Sequence, residues 1–173
     1  MKNPMSQADF IAAIMIPIPI AHLWLHALLP FWKKYPRLFY VVAGIFLFFS
    51  LWLVPGMARF SPYLFRPTPF HTILGWGAMI SGLILILSSF FTLGPKRFLV
   101  WAVLRPDSVP PRRIQTGPFQ FIPHPAYLGY LLIALGNLLT GGKSYLAGIL
   151  FYTILTLPLI IWFEEHELKE RTS

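Results

Sequence analysis

The chain has 173 residues, 56% of them hydrophobic and only 12% charged, whereas soluble domains carry about 25% charged residues; an ordinary soluble globule is excluded. There is no cysteine, which removes disulfides, thiolate metal sites and cysteine nucleophiles. The net charge of +8 does not read as nucleic-acid binding. The basic residues stand at the ends of apolar runs instead of along one amphipathic face, so anionic lipid headgroups are the expected partner.

Five apolar segments follow one another. The first, 10–31, holds Pro17, Pro19 and Pro30, with His22 and His26 flanking Trp24. Only Lys2 precedes it, its apolar run is long and no small-x-small site follows, so it reads as a membrane span and not a cleaved signal. The second and third segments are 38–54 and 70–93. A loop of about thirty residues then carries Pro95, Pro106, Pro110, Pro111, Pro118, Pro123 and Pro125. Loops this long are functional or disordered, and so many prolines preset extended backbone. The fourth segment, 126–139, ends at Thr140-Gly141-Gly142-Lys143-Ser144 and forms a tight hairpin with the fifth, 145–163. Backbone groups in lipid must be satisfied within the segment, so all five are expected to be helices. Trp32, Tyr35, Tyr40, Tyr63 and Trp162 sit near the predicted ends, as interfacial anchors do. The expected fold is all-α: one polytopic membrane domain over residues 1–173, a bundle of about five transmembrane helices with a C-terminal helical hairpin.

Five spans put the 32–37 loop, the 94–125 loop and the C-terminus on one side. That side holds ten basic residues (Lys33, Lys34, Arg37, Lys96, Arg97, Arg105, Arg112, Arg113, Lys169 and Arg171) against Lys2, Arg59, Arg66 and Lys143 on the other. The positive-inside tendency places the ten in the cytoplasm. It also places His124 and the Glu164-Glu165 cluster on one face of the membrane.

The chemistry-bearing residues lie at the two ends of the final hairpin. Pro125 biases His124 away from helical backbone and itself suits the first helical position. His124 is therefore expected at or just before a helix start, where free amides attract an anion; the alternative is a histidine capping that helix. Tyr127 and Gly129 follow within one turn. A glycine there admits close approach of another group, or serves close helix packing, the better reading for Gly136, seven residues on. Asn137 is polar at membrane depth and is expected to face the interior. Glu164 and Glu165 point about 100° apart on a helix, so one can face a pocket while the other meets solvent or a basic group. Alternatively they belong to a self-paired helix end, with Glu165–Lys169 and Glu167–Arg171 as four-residue pairs. His22 and His26 share a helix face, which allows metal or haem ligation; they are expected in the outer half or middle of the membrane, away from the polar cluster, where they satisfy backbone groups freed by the prolines. No phosphate loop, serine–histidine–acid set or zinc spacing is present, and no metal is expected.

The stretch Pro110 to Phe119, followed by His124-Pro125-Ala126-Tyr127-Leu128-Gly129 and, after Gly136–Ser144, by Glu164-Glu165-x-x-Leu168, resembles the isoprenylcysteine carboxyl methyltransferase and phospholipid methyltransferase family over roughly the C-terminal 65 residues. The resemblance implies an integral membrane enzyme that uses S-adenosylmethionine. It implies cofactor contacts from His124, Pro125, Tyr127 and Gly129 on one wall and from Glu164 and Glu165 on the other, with a lipid-like or small hydrophobic acceptor entering from the bilayer. Family members carry arginine where this chain has Gln120 and Pro123, with Arg112 or Arg113 as possible replacements. They also continue past the two glutamates with an aromatic-rich segment, which leaves the acceptor unassigned here. Two other readings stay open: a non-catalytic member that binds lipid or a partner protein, and a haem-binding or redox protein built on His22 and His26.

Overall fold

A computed structural model describes residues 6–108 and 113–172, with side chains as far as Lys169. Helix α1 (Gln7–Met15) starts on a capping box. Ser6 Oγ accepts from the Asp9 amide at 3.2 Å and the Asp9 carboxylate accepts from the Ser6 amide at 3.1 Å, which satisfies two groups that a helix start leaves orphaned. The chain turns at Ile16 into α2 (Pro17–Ala27). Pro19 has no amide, so the Met15 carbonyl loses its helical donor; the Tyr130 hydroxyl donates to it instead. The freed carbonyl is thus satisfied by a tyrosine from another helix and not, as expected, by a histidine.

The predicted first segment is therefore not one helix over 10–31. Its spanning part is Gln7–Ala27, and a short α3 (Leu29–Lys34) turns off behind it. Helix α4 (Pro36–Phe60) extends beyond the predicted 38–54 through Pro55, and α5 (Pro69–Leu93) matches its prediction within one residue at the start. The long loop is partly ordered into two single-turn helices, α6 (Pro95–Phe98) and α7 (Trp101–Leu104), and two 3-10 turns, Pro106–Ser108 and Gly117–Gln120; Pro110, Pro111 and Arg112 lie outside the described residues. Helix α8 (Pro125–Gly141) and helix α9 (Ser144–Thr172) form the hairpin.

Among the described residues, four helices are long and apolar enough to cross a membrane, and α8 is a shorter apolar helix. At 17 residues, α8 is about 26 Å long, slightly less than the roughly 30 Å of a hydrocarbon core. It nonetheless runs antiparallel to α5 along most of that helix. The large apolar side chains of the other faces point outward: Phe48 is 76% exposed, Trp52 72% and Phe91 77%, as lipid-facing residues must be.

What holds α5 to α8 is a seam of glycines. A Cβ placed on Gly82 would stand 2.4 Å from the Gly129 carbonyl oxygen, and one on Gly136 would stand 2.4 Å from the Gly75 carbonyl oxygen. Lipid tails are as apolar as leucine, so membrane helices gain little from burying apolar surface; close backbone approach through small residues supplies the attraction instead. Asn137, buried as expected, donates to the Ala8 carbonyl at 3.0 Å and ties α8 to α1.

The bundle has two rims. One gathers the start of α1, the α4–α5 connection and the α8–α9 turn: the Leu64 amide donates to Gly142 O at 2.8 Å, the Ser144 amide donates to Pro62 O at 2.9 Å, and Tyr145 donates to Asp9. The other gathers α3, α6, α7, the start of α8 and the end of α9, with Tyr40 donating to Leu99 O at 2.6 Å. This partition is the one expected from counting spans.

Candidate functional site

The second rim holds a cavity of about 370 Å³, within the size range of small-molecule sites. Its wall is mainly apolar, from residues such as Ile86, Leu93, Phe119 and Ile160. A few polar groups line it from four helices, α2, α6, α8 and α9.

His124 occupies the N-cap position of α8 with φ −130° and ψ 68°, Pro125 follows at the first helical position, and no side chain caps the first turn. The capping alternative for His124 is therefore not what forms. Its Nε2 lies 3.2 Å from Glu165 Oε1 instead, and its ring stacks on Tyr127 at 5.9 Å between centroids. Pro125 is fully buried, and it and Tyr127 both line the cavity.

On α9 the two adjacent carboxylates diverge as their helical spacing requires. Glu164 lines the cavity and accepts a hydrogen bond from the Tyr127 hydroxyl. Glu165 turns the other way, to His124 and to Arg113, whose guanidinium lies 3.2 Å away. Helix α9 continues without a break past the end of the apolar run at 163, so the glutamates are helical residues with fixed directions, as their spacing implied.

Of the six residues expected at the site, His124, Pro125, Tyr127 and Glu164 line the cavity, while Glu165 meets His124 and Arg113 off its wall. Gly129 does not reach the cavity wall. A Cβ on it would stand 2.5 Å from the Gly82 carbonyl oxygen, which places it on the α5–α8 seam, where it sets how close α8 comes to α5. Gln120 and Pro123, the two positions without arginine, are both exposed and neither lines the cavity.

The expectation for His22 and His26 needs correction. The spanning part of the first segment ends at Ala27, so both histidines fall in its last turns, at the second rim. His22 lines the cavity with its ring edge toward Tyr127, 6.3 Å between centroids, and its Nδ1 lies 2.9 Å from the Ile18 carbonyl. His26 is buried against Phe163, and its Nδ1 lies 2.6 Å from Glu167 Oε1. The two imidazoles turn to separate partners. Glu167 in turn lines the cavity, one helical turn from Glu164; its expected partner Arg171 has a side chain outside the described residues. The signal for Glu167 was in the sequence: three residues after Glu164, it must share that face.

A family model of phospholipid methyltransferases matches residues 70–171, well over half of the chain. The chain belongs to the phospholipid methyltransferase family. The matched region starts in α5 and runs through α9, so the family part holds both ends of the hairpin, while α2 brings His22 to the same cavity from outside it. No curated protein and no solved structure matches the chain. Phospholipid methyltransferases are membrane methyltransferases that generally use S-adenosylmethionine, and the long apolar helices of this member fit a multi-pass membrane protein.

Proposed function

We propose that the protein is a membrane methyltransferase that moves a methyl group from S-adenosylmethionine to a lipid-like or small hydrophobic acceptor. The observation that carries this reading is the meeting of α8's proline-started first turn with the Glu164 and Glu167 carboxylates across one mainly apolar cavity. The donor set fits the cofactor. Carboxylates suit its ammonium group and ribose hydroxyls, helix-start amides suit its carboxylate, and the apolar wall suits its base. S-adenosylmethionine supplies a methyl group on a positively charged sulfur, which a positioned acceptor takes without a strong acid, base or metal. The work left to the protein is orientation. Tyr127 fixes Glu164 by its hydrogen bond, Glu165 fixes His124 and Arg113, and Gly129 lets α8 approach α5 so that these groups converge. Acceptors enter from the bilayer side, where the wall is apolar.

Isothermal titration of the detergent-solubilised protein with S-adenosylmethionine and S-adenosylhomocysteine is the direct test. Binding of both is expected. Folded protein that binds neither supports the rival reading, a non-catalytic member that holds lipid or a partner, for which the missing arginines at Gln120 and Pro123 are the motive.

The second rim, on the side to which the sequence assigns ten basic residues, is proposed to face the cytoplasm, where the cofactor is made. Because the chain lacks cysteine, single-cysteine labelling is clean. Thr116→Cys, at the exposed second rim, is expected to react with an impermeant maleimide only after the membrane is opened, and Arg66→Cys, at the first rim, in sealed cells. The opposite pattern would invert the orientation, and labelling of both from one side would overturn the bundle.

A further inference from the structure

The second rim carries a recess besides the cavity, about 460 Å³ in volume, between the α3–α4 turn and α7. Lys34, Tyr35, Arg37, Leu38, Trp101 and Arg105 border it, and none of them lines the cavity. Three basic residues thus meet with no carboxylate among the lining residues. Asp107, two residues from Arg105, is exposed and does not border the recess. Lys34 Nζ lies over the Tyr35 ring, 5.4 Å from its centroid. Arg37 and Arg105 are exposed, and among the described residues no side-chain hydrogen bond or ion pair engages either guanidinium.

The elements that carry the two arginines are tied together. Just before α7, Val100 has φ 57° and ψ 8°. That is left-handed backbone, which a β-branched residue keeps only where its surroundings over-determine it. Val100 is buried with Leu25, Trp32, Phe39 and Leu104, and its carbonyl accepts from the Val103 and Leu104 amides at 3.0 and 3.2 Å. From α4, Tyr40 bonds to Leu99 O and stacks on Trp101, 6.2 Å between centroids. The backbone at Arg37 and at Arg105 is therefore fixed on either side of one recess. Two guanidiniums without an acidic partner make it a site for an anion. Phosphate suits them, because a guanidinium offers it two parallel, charge-assisted hydrogen bonds.

The surface that leaves the recess favours a lipid over a free anion. Leu38 borders it, and Leu38, Val41, Ile45, Phe48 and Trp52 recur every three or four residues, so they share one face of α4. They are 42%, 56%, 62%, 76% and 72% exposed. This apolar track is about 21 Å long, more than one leaflet of a roughly 30 Å hydrocarbon core. Tyr35 and Trp101 at its head are the residue types that anchor at the membrane interface, so the recess lies at headgroup depth.

We propose that the recess binds the phosphate of one anionic phospholipid from the second-rim leaflet, with an acyl chain along the Leu38–Trp52 face of α4. Basic pockets beside membrane helices hold anionic headgroups in this way. No lining residue offers a carboxylate to an ammonium, so the site selects against zwitterionic headgroups. It is a single site, more specific than the general attraction of basic helix ends for a charged membrane, and it does not depend on the cofactor reading.

Native mass spectrometry of the full chain in mild detergent, titrated with phosphatidylglycerol and with phosphatidylcholine, is the test. One phosphatidylglycerol is expected to saturate before a second adds, and phosphatidylcholine to bind about tenfold or more weakly. In the double variant Arg37→Gln/Arg105→Gln, affinity for phosphatidylglycerol is expected to fall by about tenfold or more. Its thermal unfolding in lipid-free detergent is expected to match the parent's, since neither guanidinium has a partner in the fold. Arg59→Gln, exposed at the first rim, is expected to bind as the parent does. An equal loss in Arg59→Gln, or equal binding of the two lipids, would reduce the site to diffuse attraction and overturn the proposal. Lower melting of the double variant without lipid would make the arginines structural and overturn it too. Displacement of the bound lipid by millimolar inorganic phosphate would show a free-anion site and sink the lipid assignment.

Discussion

Gly129→Ala is expected to weaken the whole bundle, although it adds a single methyl group. The new Cβ would stand 2.5 Å from the Gly82 carbonyl oxygen, 2.9 Å from Ile86 Cγ1 and 3.1 Å from Leu85 Cβ. The first of these is backbone and cannot swing away, so α5 and α8 must separate along their seam. Overpacking of this kind costs about 3 kcal/mol, and the better helix propensity of alanine returns about 1 kcal/mol, for a net loss of about 2 kcal/mol. Gly148→Ala on α9 is the control: nothing lies within 4 Å of its added Cβ, so only the propensity gain applies. Thermal unfolding in detergent separates them, with Gly129→Ala melting lower and Gly148→Ala unchanged or higher. Cofactor affinity is expected to fall with stability in Gly129→Ala, because His124 and Tyr127 ride on α8. A Gly129→Ala protein that keeps its stability but loses binding would return Gly129 to the cavity wall and break the seam argument.

The contrast between Gly129 and its neighbours shows what a sequence reading reaches and where it stops. Segment type was legible because lipid leaves a backbone few choices. Apolar runs had to be helices, and counting them put the Pro125 and Glu165 ends at one rim, as found. The His124 turn was legible because two prolines fix its backbone, and the divergence of Glu164 from Glu165 followed from helical geometry alone. What was not legible is which helix each face meets. Gly129 has the same local signal whether it approaches a ligand or Gly82; only the position of α5 decides. His22 and His26 were placed too deep because a break at Ile16 and an end at Ala27, set by tertiary contacts such as Tyr130 to Met15, are not written in local hydropathy. Arg97 was read as one more loop cation counted for orientation. Its place beside the cavity follows a turn at Val100, whose left-handed backbone (φ 57°) no propensity favours.

The largest effect on binding is expected from Glu164→Gln. Glutamine has the shape of glutamate and can still accept the Tyr127 hydrogen bond, so the substitution removes charge and little else. A hydrogen bond to a charged group contributes about 1.5–3 kcal/mol, which corresponds to a loss in affinity for S-adenosylhomocysteine of about tenfold to a hundredfold. Tyr127→Phe leaves the charge but frees the carboxylate to rotate, and an intermediate loss is expected. Glu165→Gln should be the mildest of the three. Its carboxylate faces His124 and Arg113, partly in solvent, where ion pairs contribute no more than about 1 kcal/mol; it acts on the cofactor only by steadying His124. The predicted order, Glu164→Gln worst, then Tyr127→Phe, then Glu165→Gln, comes from which way two adjacent side chains leave one helix. A titration series in which Glu165→Gln loses most would mean that the ammonium sits on the His124 and Arg113 side of α9, and that the cavity between α2, α8 and α9 is not where the cofactor binds.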